Sequence, residues 1–123
     1  MHNYSNLQIW QQAMELVVEV YKLTKTFPAE EKYGLVSQMN RAAVSVPSNI
    51  AEGMGRMAIK ERIHFLEISY ASMTEVLCQL DISESLGYIT IEELKKGEEI
   101  SDRLARVMSG LRKSLNEKNN NNE

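Results

Sequence analysis

The chain has 123 residues, 43% hydrophobic and 25% charged, with a net charge of -3; this fits one domain that buries a core without staples. A single cysteine, Cys78, excludes an internal disulfide framework, and the acidic balance excludes the global basic footprint of a phosphate binder, though not a local basic stripe. The opening "MHNYSNLQIWQQ" has neither the basic segment nor the apolar run of a secretory signal, and no stretch approaches the ~18 apolar residues of a membrane span, so a cytoplasmic protein is expected.

With two prolines and six glycines, long segments run uninterrupted, which favours helix. A first helix is predicted over about 6–26, where Trp10, Ala13, Met14, Val17, Tyr21 and Thr24 fall on one line at three- and four-residue steps. Ile9, Leu16, Val20 and Leu23 lie beside that line, and Gln11, Gln12, Glu15, Glu19 and Lys22 lie opposite. "FPAEE" ends this helix and opens the next, with Pro28 suited to a first helical position and Glu30 and Glu31 to the positive end of the dipole.

The second helix is expected over 28–54, with a core stripe of Leu35, Met39, Ala42, Val46 and Ile50. Pro47 removes a hydrogen bond to the Ala43 carbonyl and predicts a kink there; the alternative is a break into two shorter helices. A third helix is expected over 58–85 with Ile63, Leu66, Tyr70, Met73, Leu77 and Leu80 in register, Phe65, Ser69, Ser72 and Val76 extending that face sideways, and Gly87 as its stop. "TIEE" places Thr90 as N-cap and Glu93 as its capping-box partner. The fourth helix, over 91–115, carries Ile100, Leu104, Val107, Met108, Leu111 and Leu115. The remaining residues 116–123, "NEKNNNNE", read as a disordered polar tail. Four long helices with short connections make an all-α, antiparallel up-down-up-down bundle the expected architecture.

The helices look too apolar for one bundle. Projected at ~100° per residue, the first helix is apolar over roughly 200°, and the third is similarly broad. A single core covers only part of such an arc, so a homo-oligomer is expected with contacts on the first and third helices. Ile9, Trp10, Leu16, Val20, Phe65 and Val76 are the interface candidates. The plainer alternative is that broad helices wrap a thick core.

Along the second helix a ladder of Gln38, Arg41, Ser45, Asn49 and Glu52 borders the core stripe, beside small Ala42, Ala43, Ser48 and Ala51. Half-buried polar groups must be paired, and Glu75 and Gln79 of the third helix are the expected partners. An Arg41–Glu75 pair would fix register between helices more than it adds stability.

These residues also carry a family resemblance. "YGLVSQMNRAAVSVPSNIAEG", preceded by "LQIWQQAMELVVEVYKLTKTFP" and followed by "FLEISYASMTEVLCQLDISESLGYI", resembles the bacterial family of four-helix proteins named for 23S rRNA intervening sequences. Gln38, Arg41, Ser45, Pro47, Asn49, Glu52, Gly53 and Glu75 match its pattern, as do Trp10, Tyr21, Phe27, Leu66 and Ser72. The resemblance implies a left-handed antiparallel bundle assembling into a ring, a homopentamer in known relatives. Relatives include the accessory protein of diversity-generating retroelements, so RNA or a reverse-transcriptase-like protein is an implied partner. Ala58 departs from a frequent capping serine and Arg62 from a frequent aromatic, and the acidic balance departs from the basic retroelement protein.

Sites for chemistry are sparse. Glu61 and His64 have the E-x-x-H spacing of di-iron bundles, but such sites need two of these motifs, and the other histidine is His2 near the N-terminus. Asp81 with Glu84, and Glu99 with Asp102, resemble the paired acids of helical nucleotide hydrolases, yet they fall near a turn on water-facing arcs. Gly-rich phosphate loops and Ser/His/Asp sets are lacking. On the fourth helix Arg103, Arg106 and Lys113 form a line suited to an RNA backbone if repeated around a ring; a solvated charged face is the alternative. The expectation is a non-enzymatic, cofactor-free adaptor or scaffold with no metal, the competing class being a small metal-dependent helical enzyme.

Overall fold

The structure, a computed structural model, describes residues 3–121. Four helices carry the fold: α1 (Gln8–Thr24), α2 (Leu35–Met54), α3 (Ile59–Ser85) and α4 (Ile91–Asn121). One-turn 3-10 segments at Asn3–Asn6 and Ala29–Glu31 precede α1 and α2. Helices adjacent in sequence touch, and α4 returns to touch α1, so each helix has two neighbours around one shared core.

Each helix contributes a seam at three- and four-residue steps. On α1 it is Ile9, Ala13, Leu16, Val20 and Leu23; on α2 it is Met39, Ala42, Ala43, Val46 and Ile50. On α4, Leu94, Ile100, Leu104, Met108 and Leu115 line up with the buried Gly97 and Ser101. The α3 seam departs from expectation. It runs Leu66, Ser69, Met73, Val76, Leu80 and Ser83, while Tyr70 is exposed and Leu77 only half-buried. Ser69 and Val76, expected on the flank of that face, take the places of Tyr70 and Leu77, and Ser83 continues the seam past Leu80.

Gly53 marks a close approach of α2 to α3: a Cβ at this position would stand 3.0 Å from the Phe65 Cβ. Ser69, fully buried, donates to the Val46 carbonyl at 2.7 Å across the same seam. The helix is continuous through Pro47 rather than split in two, because the surrounding core holds both halves in phase.

Two boundaries differ from the sequence expectation. Residues 28–34 do not open α2; Pro28 precedes the short 3-10 turn and the helix begins at Leu35. At the other end α4 continues to Asn121, through residues expected to form a disordered tail. Past Leu115 the residues are mostly exposed, and Lys118 is favourable at the negative end of the dipole.

The connectors between α1 and α2 and between α3 and α4 meet. Gly87 takes the left-handed conformation (φ 79°); its N–H reaches the Glu84 carbonyl and the Tyr88 N–H reaches Ser83, both closing the end of α3. Thr90 and Glu93 form the expected reciprocal capping box at 3.1 and 2.8 Å. Tyr88 then packs at a tilt against Phe27, with ring centres 5.2 Å apart, and donates its hydroxyl hydrogen to Glu31 at 2.8 Å. That hydrogen bond to the carboxylate, together with burial and the negative charges of Glu31 and Glu30, raises the Tyr88 phenol above its ordinary 10.0.

Two stability outcomes follow from this packing. Gly53→Val is expected to cost about 1–3 kcal/mol in urea unfolding, because α2 and α3 must separate. Gly110→Ala, where an added Cβ meets nothing within 4 Å, should instead gain up to about 1 kcal/mol from helix propensity. For Tyr88, a raised phenol stabilises the fold fully below its unfolded pKa, and that contribution is lost as pH rises through the folded value. Thermal melts should therefore show wild type above Tyr88→Phe at pH 8, with the gap closing above pH about 10.

Candidate functional site

The polar ladder on α2 divides into three parts. In its middle, the Ser45 and Ser72 hydroxyls share a hydrogen bond at 2.8 Å, linking α2 to α3. The Asn49 amide donates to the Ser45 carbonyl at 2.8 Å and to its hydroxyl at 2.9 Å. At the lower end Glu52 is exposed and pairs with Arg56 at 2.9 Å. At the upper end Gln38 and Arg41 point to solvent. The expected partners on α3 are corrected: Glu75 is exposed and accepts from Gln79 at 3.2 Å on its own helix, and no Arg41–Glu75 pair forms among the described residues. Those two carboxyl and amide groups lie one to two turns beyond Ser72, which takes the ladder's bond instead. A second link, missed from sequence, joins Thr24 of α1 to the Asn40 side chain at 3.0 Å; both are short polar residues bordering apolar stripes, which is the one signal that could have found them.

The interface candidates also separate. Ile9, Leu16, Val20 and Val76 are 0–4% exposed within one subunit, so they serve the core and are unavailable to a neighbour. A stripe that looks too wide in projection is absorbed where α1 faces both α2 and α4. Trp10 and Phe65 remain half-buried. Phe65 is covered by the Arg56 guanidinium, 4.9 Å from its ring centre, and by the edge of His64. Trp10 packs against Tyr4, with ring centres 5.2 Å apart.

Exposed apolar side chains occur on α1 (Val18, Tyr21), on α2 (Val44) and on α3 (Tyr70, Ile82), and those of α1 and α2 border a common groove. Trp10, Met14 and Val17 line a groove with Val44, Pro47 and Ala51. Beyond the shared Val44 it continues into a shallower depression with Tyr21, Tyr33 and Val36. Val44 is 41% exposed and Tyr33 88%. Tyr33, Val36 and Val44 were legible in principle, being apolar positions of the α2 region that fall off its core stripe.

The chemical candidates are dispersed. Glu61 faces Arg56 at 3.8 Å while His64 is exposed against Phe65; His2 lies outside the described residues. Among the described residues no three His, Cys, Asp or Glu side chains converge on a possible metal position. Of the α4 cations, Arg103 bonds Glu15 of α1 at 3.1 Å. Arg106 shares its groove with Glu98, Glu99 and Asp102, and Lys113 is exposed. No helix among the described residues is long and apolar enough to cross a membrane.

Comparison with known proteins bears on this surface. The family model of the 23S rRNA-intervening sequence protein matches residues 5–110. A crystal structure of a protein of unknown function from the S23 ribosomal protein family of Bacteroides thetaiotaomicron superposes with a TM-score of 0.78 at 22% identity, covering 85% of this chain and 98% of that one. At that identity the likeness speaks for the shared fold. No curated protein matches the chain. With the family pattern running through α1, α2, α3 and most of α4, this chain belongs to the 23S rRNA-intervening sequence protein family.

Proposed function

We propose that this chain is a non-enzymatic scaffold that assembles with copies of itself through the α1–α2 face. The observation that carries the proposal is the continuous apolar strip from Trp10 through Val17 and Val44 to Tyr21 and Tyr33. Val18 of α1 is 63% exposed as well. A strip of this kind is unfavourable in water and favourable between subunits. Arg41, exposed at its edge with no ion pair among the described residues, is free to meet a carboxylate across such a contact. The subunit number that the family resemblance implies is five.

In the same proposal the helices run up, down, up and down, supported by the short connectors and by the meeting of Phe27 with Tyr88. A bend of α2 at Pro47 follows from the missing amide hydrogen. The non-catalytic role is supported by the engagement of Glu61 with Arg56 and the scatter of the remaining acids. The competing class, a metal-dependent helical hydrolase, predicts tight binding of a divalent ion and nucleotide turnover.

RNA contact along α4 has less support, since Arg103 is already paired and Arg106 sits among carboxylates. Assembly could still repeat the stripe and raise its avidity. Salt-dependent binding of a short RNA that is lost in an R103A/R106A/K113A variant would bring nucleic acid, or a nucleic-acid enzyme, into the role.

Sedimentation of the full chain at tens of micromolar is the direct test. Wild type is expected to sediment as an oligomer, and Val17→Glu with Val44→Glu as a monomer of unchanged helicity. A purely monomeric wild type would overturn the proposal.

A further inference from the structure

The two ends of the bundle are finished differently. One is closed by Phe27, Tyr88 and the buried Ile89. At the other, where α1 and α3 begin and α2 ends, a cavity of about 350 Å³ opens between all four helices. Its volume lies within the range of small-molecule sites, which in bundles sit between helices.

The lining has a definite chemical bias. Ile50 and Leu66 form buried parts of the wall, while Leu7, Met54, Val107 and Leu111 are only half-buried and keep apolar surface in contact with water. Among the described residues no aromatic ring and no carboxylate lines it; the charged groups are Arg62 and Lys118, and the other polar side chains are the neutral amides of Gln8 and Asn49. Arg62 is held in place by its Nε, which donates to the Arg56 carbonyl at 2.7 Å, so its orientation is set before any ligand arrives. Lys118 lies on the last turns of α4, beyond the buried Leu115.

We propose that this cavity binds an unbranched aliphatic carboxylate of medium length. The chain lies along Leu7, Met54 and Leu111, and the carboxylate meets Arg62 and Lys118. The aliphatic side chains along the wall favour a flexible alkyl chain. The two lining cations, Arg62 and Lys118, select a negative head, because an anion there gains charge-assisted hydrogen bonds that a neutral head does not. The site is separate from the α1–α2 face, so a variant that fails to assemble should still bind.

The test is titration of the full chain with decanoate below its micellar range, followed by isothermal calorimetry and methyl NMR, with decanol as the uncharged counterpart. Decanoate is expected to bind one per chain, about tenfold more tightly than decanol. R62Q with K118Q should erase that difference and leave decanol unaffected, while V17E with V44E should bind decanoate like wild type. L111W, which fills the cavity, should abolish binding of both. If L111W does not fold, the charge variant alone decides. Failure to saturate at millimolar decanoate, uptake of several molecules per chain, or indifference to R62Q with K118Q would each overturn the proposal.

Discussion

The close approach of α2 and α3 is the constraint on which the rest of this structure depends. Gly53 against the Phe65 Cβ, the buried Ala42 and Ala43, and Ser69 bonded to the Val46 carbonyl bring two backbones together over most of their length. Small residues make this possible, because a helix pair can draw near only where side chains leave room. The Ser45–Ser72 bond then sets the register of the two helices. With α3 drawn to one side of α2, the large apolar residues on the other side of α2, Val44 and Val36, are left toward α1 and water.

Charge on the flanks follows the same geometry. Where α4 meets α1, Arg103 bonds Glu15 at 3.1 Å and Lys96 bonds Glu19 at 3.3 Å. Across α3 and α4, Arg112 meets Glu67 at 3.3 Å. Each such pair contributes at most about 1 kcal/mol where water reaches it. Of the line Arg103, Arg106 and Lys113 they engage only Arg103.

The ends of the bundle complete the division of labour. Phe27 and Tyr88 seal the connector end, with Glu31 holding the tyrosine. The opposite end carries the cavity, walled by apolar side chains of every helix. The α1–α2 groove and the end cavity are thus separate surfaces of one small fold, the first on its side and the second at its end.

Helix number, most of the boundaries, the capping box at Thr90 and the stop at Gly87 were determined by the sequence itself, because each rests on contacts within a few residues of chain. So were the seams of α2 and α4, which repeat with the helical period, whereas on α1 the core runs through Ile9, Leu16, Val20 and Leu23 beside the predicted line, with Glu19 buried too. The tertiary structure alone decided which apolar residues are spent inside: Leu16 and Val20 vanish into the core while Val44 remains outside. It also decided that Ser72, not Glu75, completes the ladder, that Arg103 is occupied by Glu15, and that Arg62 reaches the mouth of a cavity. Periodicity places a residue on a face of its own helix, but what that face meets depends on how closely and at what rotation the helices pack.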